Sequence, residues 1–250
     1  MDFGPWAAVS GPLAAYKAHS VRAAARIVSG CRRRCGFSGL LDVNRLAGYQ
    51  GFLDAFDTAG GDSQLMLYDL GRARVLNADE HPPGAALPPL DGPGWWPAVA
   101  RAHERRLAAA LRAEQPEEDG FEQWNPLLER AGELGEAYAA RLAAEAVAHC
   151  LAAVRDPRLR EVLGLLATLH GLSGARRWAG RLLAAGTLCP DDLRPLPDTA
   201  DRLGDALTPH LPLLERAFGY PAELVRSPLG APDYTLALAR SLTWNHGGST

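Results

Sequence analysis

Apolar residues recur at three- and four-residue steps along most of this 250-residue chain. The clearest run extends from Phe121 to about Val154. There Leu127, Ala131, Leu134, Tyr138, Leu142 and Ala146 fall on one helical stripe. At a rise of ~1.5 Å per residue, this predicts a helix ~50 Å long. Another helix is predicted to open at Ser10-Gly11-Pro12, a capping serine with proline in the first turn, and to end near Cys35 before Gly36. A third is predicted from Asp62 to Val75, with Leu65, Leu67, Leu70 and Tyr68 as its apolar side. Between these two helices the chain reads as a glycine-bearing turn, a loop and a second glycine turn. Further helices are expected over Trp95–Ala113, Leu159–Ala185, Pro190–Phe218 and Asp233–Leu242. Pro157, Gly186, Gly219-Tyr220-Pro221 and Gly230 punctuate them.

β-Branched residues are sparse, and neither period-two alternation nor a fixed-period repeat is visible. The fold class is therefore all-α, with a helical bundle after residue 95. Pro82 to Gly94 is dense in proline and glycine and reads as a linker. The expected bounds are 1–78, a linker at 79–94, and 95–250.

A formal net charge of −3 gives no field for nucleic acid or anionic lipid. No apolar run approaches the ~20 residues of a membrane span. Lys17 is the only lysine; every other basic side chain is arginine. Met1-Asp2 opens no apolar leader, so Cys31, Cys35, Cys150 and Cys189 are expected as free thiols in a reducing cytoplasm. Cys31 and Cys35 share a helix face but have no histidine beside them, so no metal site is expected. His149-Cys150 lies in the long helix, where burial is the expectation. Ser38 and Ser173 sit beside glycines outside any G-x-S-x-G setting.

The segment Cys31 to Arg72 carries the most chemical information. It resembles the flavin-edge segment of acyl-CoA oxidases and the related acyl-CoA dehydrogenases. Pro5-Trp6-Ala7-Ala8-Val9 and Tyr16-Lys17-Ala18 upstream resemble the same family. So do Phe121-Glu122-Gln123-Trp124-Asn125, Glu136-Ala137-Tyr138-Ala139 and the stretch Arg202 to Pro228 downstream. The resemblance runs in family order over essentially the whole chain. It implies a partial dehydrogenase-type helical bundle followed by an oxidase-type C-terminal helical domain.

By this resemblance, a glycine turn meets the ADP moiety of FAD. Arg33 takes the place of a glutamine, Gly36 and Gly39 keep two glycines, and Phe37 replaces a third. Arg33 suits a phosphate through bidentate contact. The alternative is a helix C-cap at Gly36 with a solvated run of arginines. At the second turn Gly61, Asp62 and Gln64 hold positions that contact flavin. Asp62 or Ser63 also reads as the N-cap of the next helix, and both roles can hold together.

Gly60 stands where the family places the glutamate that abstracts the α-proton of an acyl thioester. Proton abstraction needs a positioned carboxylate, which glycine lacks. No catalytic residue is therefore assigned to this chain. The family's layout places its start in the second half of the four-helix domain. Two helices would then lack neighbours to bury their apolar stripes, which marks a partner surface.

The resemblance implies a subunit of a split oxidase or dehydrogenase. FAD would be shared with an oxidase-like partner chain that supplies the base, and the substrate would be an acyl thioester on CoA or a carrier protein. A non-catalytic scaffold that binds an oxidase is the alternative.

Overall fold

The computed structural model describes residues 10–76, 86–114, 120–221 and 227–242. The expected motif at Pro5–Val9, residues 79–85 of the linker and residues 222–226 of the Arg202–Pro228 stretch lie outside them. The described residues contain helices and no strand.

In chain order the helices are α1 (Gly11–Arg34), α2 (Leu46–Thr58), α3 (Ser63–Leu76), α4 (Trp95–Arg112) and the short α5 (Phe121–Trp124). They continue with α6 (Leu128–Ala153), α7 (Pro157–Ala184), α8 (Pro190–Leu193), α9 (Leu196–Leu207), α10 (Leu211–Ala217) and α11 (Tyr234–Leu242). The chain forms two compact units, residues 1–20 with 61–212, and residues 21–60 with 213–250. These units are interleaved along the sequence, whereas the expected bounds of 1–78, 79–94 and 95–250 run consecutively.

The first unit is built on α3 and α6. Their backbones meet closely because glycines face them. A Cβ added at Gly71 would collide with the Ala131 carbonyl, and one at Gly135 with the Leu67 carbonyl. Ala14, Ala15 and Ala18 of α1 pack with Met66, Leu67 and Leu70 of α3 and Ala139 of α6. Val75, Leu111, Trp124, Ala131 and Leu134 close a second cluster. The third joins α4 to α7 and α9 through Trp95, Trp96, Val99, Leu172, Ala175, Leu182, Leu196 and Leu203. Each large apolar side chain buried this way stabilises by about 1.5–3 kcal/mol.

Local chemistry sets the helix ends. Asp156 Oδ1 accepts from Arg158 N at 2.8 Å and Leu159 N at 3.0 Å, with Pro157 as the first residue of α7. At the other end Gly186 takes φ +61°, and Thr187 N donates back to the Leu182 carbonyl at 2.8 Å.

Three sequence expectations change. The expected loop between the glycine turns contains the 13-residue helix α2. The predicted Phe121–Val154 helix is interrupted at Asn125-Pro126-Leu127 by a 3-10 turn, because proline cannot donate its N–H. Pro190–Phe218 is likewise not one helix but α8, α9, a 3-10 turn and α10, with Pro195 and Pro209 at the restarts.

In the second unit, Asn44 is buried between two segments. Its Nδ2 donates to the Ser38 carbonyl at 2.8 Å, and its Oδ1 accepts from Ser227 Oγ at 2.8 Å. Helix α2 has no buried residue. Phe52 is 59% exposed, and its ring centroid lies 4.7 Å from that of Phe56.

Candidate functional site

The residues expected at the first turn lie in the second unit. Arg32, Arg33 and Arg34 form the last turn of α1, where cations complement the helix dipole. Cys35 N donates to the Cys31 carbonyl at 3.1 Å, and Gly36 then adopts φ +56°. This is the helix end anticipated for Gly36. A Cβ at Gly36 would meet nothing within 4 Å, so its outer side is open. Gly39 differs, because a Cβ there would strike the Arg32 carbonyl. Its missing side chain is filled by the chain's own backbone. Arg33 is exposed, and Phe37 is 74% exposed.

The second turn joins Gly60, where the first stretch of the second unit ends, to Gly61 in the first unit. Gly60 has φ +72° and Gly61 φ +104°, conformations that L side chains rarely adopt. A Cβ at Gly60 would meet open space, whereas one at Gly61 would strike the Met66 side chain. Asp62 is the N-cap of α3: its Oδ1 accepts from Gln64 N at 2.8 Å and Leu65 N at 3.1 Å. Gln64 is half-buried. Its amide lies over α6, where a Cβ at Gly132 would come within 3.0 Å of Gln64 Nε2.

The two carboxylates that flank Gly60 are both engaged. Asp57 pairs with Arg22, Nε to Oδ1 at 3.3 Å. Asp62 is engaged by the amides of α3. The position itself disfavours glutamate, since a φ of +72° strains any side chain.

The two turns, each taken by itself, differ in what they leave open to a ligand. Arg33 presents an exposed guanidinium that suits phosphate, and a Cβ at Gly36 or Gly60 would meet nothing within 4 Å. At Gly39 the space of a side chain is filled by the Arg32 carbonyl, and at Gly61 by the end of the Met66 side chain.

Lys17 was not assigned a role from sequence, yet it organises the second turn. Its Nζ donates to the Gly61 carbonyl at 2.7 Å and to Ser63 Oγ at 2.9 Å. Ser63 is fully buried. The signal available in the sequence was that this is the only lysine in the chain.

A second polar cluster, also unassigned from sequence, lies inside the first unit. Glu104, nearly fully buried, accepts from Arg74 Nε at 3.1 Å and from Arg141 Nε. Both guanidinium groups lie over the Tyr138 ring, at 5.1 and 5.3 Å from its centroid. Arg141 also donates to Glu145 at 2.7 Å, which in turn accepts from Arg101. Every carboxylate in this cluster is paired, so it is an internal brace. His103 is 1% exposed, with Nδ1 3.0 Å from Thr187 Oγ1 and its ring 5.8 Å from that of Trp178. Burial foremost, then the charge of Arg181, lowers its pKa to about 4.

His149 and Cys150, expected to be buried, are exposed on α6. The four cysteines are free. Among the described residues no cluster of three or more His, Cys, Asp or Glu could hold a metal ion. Nor, among them, is any helix long and apolar enough to cross a membrane.

The all-α architecture recurs in solved acyl-CoA oxidases. The chain superposes on acyl-CoA oxidase 1 of Yarrowia lipolytica with a TM-score of 0.83 at 17% identity, covering 96% of this chain and 40% of that one. An acyl-CoA oxidase from tomato, Lycopersicon esculentum, gives 0.82 at 17% identity, covering 99% and 42%. Acyl-CoA oxidase-1 of Caenorhabditis elegans, solved with FAD and ATP, gives 0.81 at 18% identity, covering 100% and 42%. The chain thus spans about two fifths of the length of these relatives. No curated protein sequence matches it. The family model for acyl-CoA oxidase matches residues 95–233, more than half of the chain, and the protein belongs to the acyl-CoA oxidase family.

Proposed function

We propose that this chain is the helical subunit of a split, FAD-dependent oxidase or dehydrogenase acting on an acyl thioester, on CoA or on a carrier protein. The observation that carries this reading is the chemistry at Gly60. The chain has the family's helical architecture and an open glycine turn, but Gly60 bears no carboxylate, and Asp57 and Asp62 are both committed elsewhere. The base that removes the α-proton then comes from an oxidase-like partner chain.

The exposed aromatic side chains of α2 support a partner. Tyr49, Phe52 and Phe56 sit on a helix with no buried residue. Apolar surface of this kind gains by being covered. On this reading Arg33, Gly36 and Phe37 at the first turn, and separately Gly61, Asp62 and Gln64 at the second, are the residues offered to flavin. FAD supplies the two-electron acceptor when bound; these residues only hold and orient it. The free thiols favour a reducing compartment, which we take to be the cytoplasm.

A non-catalytic scaffold is the second reading, favoured by Phe37 where the family keeps glycine. Co-expression with an oxidase-like gene neighbour, with purification through a tag on one chain, separates the two. A yellow complex supports the shared enzyme, and a colourless but tight complex supports the scaffold. A stable, monodisperse monomer that never co-elutes with such a partner defeats both.

A further inference from the structure

We propose that Lys17 is the positioning residue of the flavin-contacting turn at Gly61–Gln64, holding it rigid from α1 for a flavin to dock. The inference rests on the functional reading above and adds to it a residue on another helix. Three observations meet at this side chain.

The first is its geometry. One ammonium bridges the carbonyl that closes the turn and the hydroxyl that opens α3: Gly61 O at 2.7 Å and Ser63 Oγ at 2.9 Å. These two acceptors flank Asp62, whose carboxylate caps α3. Lys17 thus grips the turn on both sides of the capping residue. Charge-assisted bonds of this length are among the stronger ones a side chain makes.

The second is the turn's intrinsic looseness. Gly60 and Gly61 stand in succession at φ +72° and +104°. Glycine loses more conformational freedom on ordering than any other residue, so an unsupported Gly-Gly turn samples many conformations. An external clamp is the direct remedy.

The third is electrostatic. A cation beside a helix N-terminus opposes the helix dipole, so Lys17 is not placed there to favour α3. The chain uses arginine at its other 25 basic positions, counting 26 Lys and Arg less Lys17. A compact ammonium with tetrahedral donors reaches a carbonyl and a buried hydroxyl together, where a planar guanidinium is built for forked acceptors.

The test compares Lys17→Met, which keeps the aliphatic stem, with Lys17→Arg, which keeps the charge. Amide hydrogen exchange is read at Gln64, Leu65 and Met66 and, as a control, along α7. FAD retention is read by titration of the complex with its oxidase-like partner. Lys17→Met is expected to speed exchange at the three turn amides about tenfold while leaving α7 unchanged. It is also expected to weaken FAD binding roughly tenfold, because the turn loses the two charge-assisted hydrogen bonds that hold it. Lys17→Arg restores most of both.

Unchanged exchange at the turn overturns the inference, as does acceleration spread equally over α7. A yellow complex that exchanges faster at the turn yet holds FAD as tightly as before overturns the inference alone. A colourless wild-type complex overturns the functional reading and the inference with it.

Discussion

Arg22 Nε lies 3.3 Å from Asp57 Oδ1, tying α1 to α2 in the second unit. The carboxylate three residues before Gly60 is therefore held by a guanidinium. Asp57→Asn is expected to lower stability by about 0.2–1 kcal/mol, as for partly exposed ion pairs. It is expected to leave the thioester oxidation rate of the complex unchanged. Denaturant melts and stopped-flow flavin reduction check both. A large fall in rate at unchanged stability would make Asp57 the base after all.

Two glycines in the first unit should respond with opposite sign to the same substitution. Gly71→Ala pushes a methyl into the Ala131 carbonyl and should destabilise by about 1–3 kcal/mol. Gly180→Ala, exposed in α7 with nothing within 4 Å of the new Cβ, should stabilise by up to about 1 kcal/mol. Thermal melts of the pair read the packing of α3 on α6 without reference to function.

His103 gives the chain an acid-side liability. Its folded pKa of about 4 lies below the ordinary 6.5, because burial and then Arg181 disfavour the imidazolium. The unfolded state therefore binds the proton first. Stability is fully present above pH 6.5, falls as pH drops towards about 4, and is flat below. The contribution is on the order of 3 kcal/mol at its largest. In His103→Gln, which keeps a partner for Thr187, this part of the pH slope disappears from urea midpoints measured across that window.

Removing Glu104 leaves the Arg74 and Arg141 guanidinium groups at the Tyr138 ring without their shared carboxylate. Glu104→Ala should cost about 3–5 kcal/mol, the range for breaking a buried ion pair from one side. Replacing Arg101, at the exposed rim of the same network, should cost under about 1 kcal/mol. Chemical denaturation of the two variants ranks the partners.

Periodicity exposed most of the helices and hid the site's supports. Ala131 and Leu134 are fully buried on the predicted stripe, and Leu67 and Leu70 are buried as expected. Leu65, placed on the same apolar side, is 65% exposed, because α3 turns Met66 and Leu67 inward instead. Helix α2 escaped notice because Gly48 and Gly51 interrupt its apolar pattern and read as loop. His149 and Cys150 lie beyond the covered part of α6, which a stripe within one helix does not reveal.

The capping role of Asp62 was local, two and three residues in reach, and so was legible. Lys17 and Glu104 were not: their partners lie 30 to 46 positions away. Only tertiary packing brings such residues together. Gly60 itself was legible from one letter, but its positive φ and the ion pair of Asp57 with Arg22 were not.

The most direct test of the split-enzyme account is anaerobic mixing of the co-purified complex with an acyl-CoA while flavin absorbance is followed. The account predicts a yellow complex whose flavin bleaches on mixing, and this chain alone neither binding FAD nor reacting. Bleaching by this chain alone, or a complex with bound flavin that no acyl thioester reduces, would contradict it.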